Sequence, residues 1–234
     1  PESKVIKIGN KIDFLIHVMI SRLFDRHGFG SKVATKRFIG QVKKFDPDVI
    51  HLHNLHGYYL NLEILFNYIK EANKPVIWTL HDCWPFTGHC SYFDRANCFR
   101  WQVGCYDCPL KSFYPTSWVL DNSKKNFLEK QTLFSNIESL VLVTPSKWLS
   151  IHISNSFLKK YPSRVICNGI DLKKFKPCNP SIIKNKLGLR NEYVILGVAS
   201  VWSIRKGLGD FIKLRLILEP HFSIILIGLS LKQI

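Results

Sequence analysis

Several groups of residues in this sequence have the types and spacing to do chemistry. The apolar run VIWTL at 76–80 leads straight into His81 and Asp82, an imidazole beside a carboxylate. Histidine titrates near neutral pH and exchanges hydrogen bonds with sugar or phosphate oxygens. A neighbouring aspartate orients it, touches a hydroxyl, or simply caps the turn that follows. The run DVIHLH at 48–53 ends in the same way on His53, Asn54, His56 and Gly57, so two apolar segments lead to side chains suited to a hydroxyl-rich ligand. His51 and His53 read equally as core histidines. After YVILGV at 193–198, Arg205 and Lys206 precede Gly207. Two cations at a helix start oppose its dipole. With an anion there, backbone N–H groups and both side chains hold a diphosphate together; plain surface charge is the alternative.

Cys90, Cys98, Cys105 and Cys108 are separated by seven, six and two residues, the last pair forming C-x-x-C. In a reducing compartment four close cysteines favour metal over disulfides. A tetrathiolate zinc would staple a loop that has no secondary structure of its own. Buried free thiols and redox chemistry stay open, and His89 and Cys83 are alternative ligands. Cys167 and Cys178 read as incidental. The GFGS segment at 28–31 lacks the preceding strand that a phosphate-binding glycine loop needs; a helix C-cap at Gly28 and an N-cap at Ser31 explain it.

Positioning these groups requires an ordered frame. Short apolar, β-branched runs at 48–53, 76–80, 139–143, 164–167, 193–198 and 222–227 alternate with helix-spaced segments at 12–25, 31–45, 60–72, 123–137, 147–159 and 207–219. The alternation predicts an α/β fold with a parallel sheet, whose ligands bind beyond the carboxyl ends of the strands. Residues 83–115, rich in Cys, Trp, Tyr and Gly without periodicity, are expected as an excursion. The expected division is a lobe at 1–178, a basic linker at 179–190 and the start of a second lobe at 191–234. That last piece is too small to close a core by itself, and no strand with a glycine-rich turn opens the chain. The sequence is therefore expected to be a fragment at both ends.

Composition narrows the partners. With 46% hydrophobic and 21% charged residues in 234, the balance is that of a globular protein. No apolar run reaches the roughly 18 residues of a membrane span, and the start does not resemble an export signal, so a cytoplasmic setting is expected. Thirty-three Lys and Arg against 17 acidic residues give a net charge of +16, which attracts nucleic acid, anionic lipid or a phosphorylated substrate. The charge concentrates at 156–190, with nine cations and one acid; a solvated face is the plainer reading of such a run.

Taken in order, PDVIHLHNLHGYYLN, WTLHDCWPFTGHC, VTPSKWL, NGIDLKKFKP and GVASVWSIRKG resemble a bacterial family 4 glycosyltransferase of surface-polysaccharide synthesis. HDCWPFTGHC is similar to a narrower exopolysaccharide and colanic-acid-type branch. The resemblance covers almost the whole chain. It implies a GT-B fold, with a Rossmann-like acceptor-side lobe, here lacking its first strand, and the start of a Rossmann-like donor lobe. It implies metal-independent, usually retaining hexosyl transfer from a nucleotide sugar, with no catalytic cofactor. His81, with Asp82 beside it, would lie near the transferred sugar; Arg205, Lys206 and Gly207 at the donor diphosphate; His53, Asn54, Gly57, Asn168 and Gly169 along the acceptor and sugar cleft.

Two departures stand beside the resemblance. Ser200 occupies a position where many members carry an arginine, and the paired-glutamate donor signature would fall past Ile234, so the chain alone is expected to be inactive or weak. The basic 156–190 segment fits a peripheral enzyme whose lipid-linked acceptor lies on an anionic inner leaflet, each surface cation contributing on the order of 1 kcal/mol. The apolar face of 12–25 would add to that contact or pack into the core. The rival reading is a basic, Cys-rich nucleic-acid-binding module. Its basic residues do not interleave with aromatics as such modules do, so no nucleic-acid partner is expected. A third reading is a remnant without activity.

Overall fold

Asn10 opens the first helix, α1 (Lys11–Phe24). Its side-chain oxygen accepts from the Ile12 and Asp13 N–H groups at 2.8 and 3.0 Å, and the Asp13 carboxylate accepts the Asn10 N–H, a reciprocal capping box. There follow α2 (Lys32–Phe45), β1 (Ile50–Leu52), α3 (Leu62–Ala72), capped by Asn61, and β2 (Val76–Thr79). Single 3₁₀ turns at Trp84–Phe86, Asp94–Ala96 and Arg100–Gln102 punctuate the excursion before α4 (Ser123–Leu133). Next come β3 (Leu140–Thr144), α5 (Lys147–Ser154), where the Ser146 hydroxyl accepts the Leu149 N–H, and β4 (Ser163–Val165). The chain continues through α6 (Ser181–Lys186), β5 (Tyr193–Val198), α7 (Leu208–Ile217) and β6 (Phe222–Ile227).

This computed structural model describes residues 3–189 and 193–233. It divides into two compact units, Pro1–Gly169 and Ile170–Ile234; the division falls ahead of the expected end of the first lobe at 178. In the first unit four parallel strands lie in the order β1-β2-β3-β4, with Leu52 beside Trp78, Trp78 beside Leu142 and Thr144 beside Val165. The second holds the parallel pair β5–β6. The fold is the α/β type that the strand and helix alternation predicts.

Burial explains the frame. In β2, Val76 and Trp78 are buried while Ile77 is exposed. Trp78 meets Phe66 of α3 and Phe134 after α4, ring centroids 5.5 and 4.9 Å apart, and Phe66 meets Phe134 at 4.4 Å. Such aromatic pairs add about 0.5–1.5 kcal/mol each beyond their burial. Several expected bounds move for local reasons. α4 ends at Leu133 rather than 137, because Phe134 turns into the core and Asn136 takes the left-handed conformation (φ 58). α5 ends at Ser154 rather than 159, and α6 forms inside the expected linker. Arg190 of that linker and residues 191–192 lie outside the described residues. The apolar side of α1, expected to pack inward, is exposed in this unit: Ile12, Leu15, Ile16 and Met19 face solvent while His17 and Ser21 are buried.

Candidate functional site

Parallel pairing of β1 and β2 brings their two polar exits together. His53 Nδ1 lies 3.0 Å from His81 Nε2, the rings stacked at 5.3 Å, so one nitrogen carries the proton that the other accepts. Trp78 Nε1 donates to the His53 carbonyl at 3.3 Å, fixing the backbone beneath the pair. His51 Nε2 bonds the Thr79 hydroxyl at 2.9 Å, and its ring lies 4.3 Å from that of His53. Burial, and then the charge of His53, lower the His51 pKa. His51, His53 and His81 are all solvent-exposed, the position from which a strand-end group meets a ligand. The turn that follows β1 needs Gly57, whose φ of 148 disfavours any side chain. The exposed Asn54 lies in this turn, its carbonyl accepting the Tyr59 hydroxyl at 2.6 Å.

Asp82 is engaged elsewhere than its neighbour in sequence. Its Oδ2 accepts His56 Nε2–H at 2.8 Å and its Oδ1 accepts the Trp84 N–H at 3.0 Å, the whole residue being 7% exposed. The Tyr114 hydroxyl donates to His56 Nδ1 at 3.1 Å, which fixes the imidazole as the Nε2–H form when neutral. Asp82 therefore caps the first turn of the excursion and pins the loop after β1 to it. Of the pair placed near the sugar by sequence, His81 stands at the surface and Asp82 supports from below.

Behind this edge lie Lys130 and Asp25, which sequence reading did not single out. Lys130 of α4 is fully buried, donating to the Trp84 and Thr87 carbonyls at 2.8 and 3.1 Å with its ammonium 3.4 Å from the centre of the Trp84 ring. Burial pulls its pKa down to about 7. A signal existed: Lys130 falls at helical spacing between the buried Phe127 and Phe134. Asp25, at the end of α1, meets His89 Nδ1 at 2.5 Å and accepts the Asn122 N–H at 2.9 Å. Burial opposes the His89 charge, but the bond and charge of Asp25 outweigh it and raise the pKa.

His17 organises GFGS. The Gly28 and Gly30 N–H groups donate to its Nε2 at 3.1 and 3.3 Å, leaving Nδ1 to donate to Ser31 Oγ at 2.9 Å. Burial lowers its pKa to about 4. Asp25, not Gly28, ends α1; Ser31 sits at the start of α2, but its hydroxyl serves His17 and the Tyr58 carbonyl rather than the helix.

The remaining expected residues lie apart from this cluster in sequence and element. Asn168 and Gly169 are exposed in the segment after β4, whose Ile166 N–H donates to the Thr144 carbonyl at 2.9 Å. In the second unit, Ile204–Lys206 forms a 3₁₀ turn, and Gly207, in the left-handed region at φ 77, leads into α7. Arg205 and Lys206 are exposed there. In the excursion, Cys90, Cys98, Cys105 and Cys108 line one cavity. Cys83 belongs to the apolar core instead, and His89 is engaged at Nδ1 by Asp25 and at Nε2 by the Phe113 carbonyl at 3.4 Å. Among the described residues no three His, Cys, Asp or Glu side chains are grouped to hold a metal ion as they stand, and no helix is long and apolar enough to cross a membrane.

Residues 7–174 match the sequence profile of Glycosyltransferase Family 4. Over 179 residues the chain is 32% identical to WcaC of Escherichia coli strain K12, a protein whose name assigns it to colanic acid biosynthesis as a glycosyl transferase. That alignment covers 72% of this chain and 42% of WcaC, so the chain spans less than half the length of this relative. No solved structure matches the chain.

Proposed function

The chain belongs to glycosyltransferase family 4, and from that premise we propose that it serves the transfer of a hexosyl group from a nucleotide-sugar donor to a glycan acceptor, lipid-linked, in surface-polysaccharide synthesis. The observation that carries this reading is the exposed His53–His81 pair at the carboxyl edge of the parallel sheet, inside the segment that matches the family. In transfer, the bond from the anomeric carbon to the diphosphate breaks as the acceptor oxygen bonds that carbon, and the acceptor hydroxyl's proton passes to the departing diphosphate oxygen. His81 would hydrogen-bond a hydroxyl of the transferred sugar, His53 would set which His81 nitrogen bears the proton, and Asn54 would reach sugar hydroxyls beside them. Negative charge grows on the departing nucleoside diphosphate. Arg205 and Lys206, beside Gly207, would stabilise it more in the transition state than in the bound donor. No catalytic metal or cofactor enters this scheme.

Contact with an anionic leaflet is part of the same reading. It is supported by the exposed Arg164, Lys173, Lys174 and Lys176 in the basic segment.

The test is thermal denaturation of this chain with uridine, guanosine and adenosine diphosphates and, separately, with oligonucleotides. A rise in melting temperature with a nucleoside diphosphate is expected, since a ligand at a hundred times its dissociation constant stabilises by about 2.7 kcal/mol. Stabilisation by oligonucleotide alone would overturn the reading. In a transfer assay, His81→Ala is expected to lower turnover while leaving diphosphate binding intact.

A further inference from the structure

The excursion between β2 and α4 poses a packing problem. Its cysteine-bearing part has no α-helix or strand, yet Phe93, Trp101 and Leu110 are as buried as any core residue. Irregular chain can hold such side chains inside only if its backbone is pinned. Part of the pinning is visible at one end, where Lys130 and the Asp25–His89 pair tie 84–89 to α1 and α4. Ties to α1 resume at 117–120, where Ser117, Trp118 and Leu120 bond the Arg22 and Leu23 carbonyls, and the cysteines occupy the stretch between.

The four thiols converge. Cys90, Cys98, Cys105 and Cys108 line a cavity of about 10 Å³, room for one water-sized or ion-sized occupant and far too little for a nucleotide or a sugar. Cys90 and Cys108 lie close enough for their side chains to interact. A backbone amide is aimed at one of the sulfurs: the Gly88 N–H donates to Cys105 Sγ at 3.1 Å. A thiol sulfur is a weak acceptor, whereas a metal-bound thiolate is a strong one, so the N–H on Cys105 suits a sulfur that ligates a metal. Gly88 must approach this closely: a Cβ built there would fall 2.7 Å from the Cβ of Cys105 and 2.1 Å from the Ser123 carbonyl oxygen.

We propose that Cys90, Cys98, Cys105 and Cys108 bind one zinc ion, which staples the excursion beneath the His53–His81 edge. The chemistry selects the ion. An all-thiolate set of four is the ligand set of a closed structural zinc site. The other two candidate ligands are occupied: His89 has both nitrogens hydrogen-bonded, and Cys83 does not line the cavity. Among the described residues no trio is grouped to hold an ion as it stands. Each sulfur moves between staggered positions by rotation about a single bond, which is the adjustment that coordination requires. Binding releases four thiol protons and leaves four thiolates around a dication, a site of charge −2. The buried Lys130 ammonium lies within electrostatic reach of Cys90 and Cys105 to offset it.

The test uses the whole chain, purified without added metal and kept reduced. Elemental analysis is expected to find about one zinc per chain, as a closed site of this type holds. Thiol titration of the folded protein is expected to detect the exposed Cys167 and Cys178 first, with four further thiols released by a chelator. Cobalt(II) added after chelation is expected to give the intense sulfur-to-metal absorption of thiolate ligation. Cys98→Ser is expected to lower bound zinc at least tenfold, while Cys178→Ser leaves it unchanged. Should Cys98→Ser fail to fold, cobalt titration of the unmutated chain decides. Zinc well below stoichiometry with no cobalt–thiolate band overturns the proposal. So does a Cys90–Cys108 disulfide in the protein as isolated, or zinc that survives in folded Cys98→Ser.

Discussion

Replacing Asp82 by alanine separates support from chemistry at the strand edge. The carboxylate takes two donors, His56 Nε2–H at 2.8 Å and the Trp84 N–H at 3.0 Å, and is almost wholly removed from solvent. Hydrogen bonds to a charged group contribute about 1.5–3 kcal/mol each, and a buried donor left without an acceptor carries its own penalty. Because the two bonds share one acceptor group their losses overlap, and a combined cost of about 3–5 kcal/mol follows for Asp82→Ala. In a chain of this size each kcal/mol lowers the melting temperature by roughly 2–4 °C, so the variant is expected to melt roughly 6–20 °C lower. His81→Ala removes a solvent-exposed ring and one exposed hydrogen bond, a change worth no more than about 1 kcal/mol. Asp82→Asn keeps an oxygen for Trp84 but turns an amide toward His56, and is expected to fall between them. Circular-dichroism melts, with urea denaturation to check that the slope is unchanged, measure all three. Equal melting temperatures for Asp82→Ala and His81→Ala would refute the assignment of Asp82 to structural support.

Acid should loosen the first unit through His17. Burial holds its pKa at about 4 in the fold against 6.5 in a free chain, so the unfolded state binds the proton first as pH falls. Stability present above pH 6.5 is lost progressively toward pH 4, by up to about 3 kcal/mol from this one group. Urea midpoints across that range are expected to fall less steeply in His17→Gln, and an unchanged slope would exclude the mechanism. Gly88→Ala drives a Cβ to within 2.1 Å of the Ser123 carbonyl oxygen; an overpacking cost of about 1–3 kcal/mol or more is expected, read as a lower urea midpoint. Lys206→Ala, at an exposed position, is expected to leave the ligand-free melting temperature within about 1 °C of the parent while abolishing the rise with nucleoside diphosphate. Retention of that rise would remove Lys206 from the diphosphate site.

How far the sequence reveals this site depends on the distance over which each cause acts. The strands were legible because their β-branched, apolar runs are local, and the rule that ligands gather at strand ends picked out His53 and His81 individually. Their union was not legible. It depends on β1 lying next to β2 in parallel register, a fact carried by residues 28 positions apart. Asp82 was legible in part: position alone offered it as a cap for the following turn, which the Trp84 N–H bond bears out, while its partner His56 lies 26 positions away. The thiols show the intermediate case, since C-x-x-C announces two sulfurs locally but only the folded loop brings Cys90 and Cys98 to the same cavity. Lys130 was legible in principle, because a lysine on the same helical face as Phe127 and Phe134 must find acceptors inside.

The helix α1 is where hydropathy alone points the wrong way, and the reason is specific. A periodicity argument turns Ile12, Leu15, Ile16 and Met19 toward the core, yet in this unit His17 and Ser21 are the buried residues. Burying an apolar side chain gains about 1.5–3 kcal/mol. The turn at 28–31 presents backbone N–H groups that, once enclosed, each lose about 1–3 kcal/mol unless they find acceptors. His17 supplies the shared acceptor for Gly28 and Gly30 and spends its remaining proton on Ser31, whose hydroxyl in turn donates to the Tyr58 carbonyl. Tyr58 adjoins Gly57 in the turn that follows β1. A chain of hydrogen bonds therefore runs from α1 through GFGS to the segment bearing His53 and Asn54. The face of α1 that a hydropathy pattern would leave in water is the one that determines how the candidate site is held.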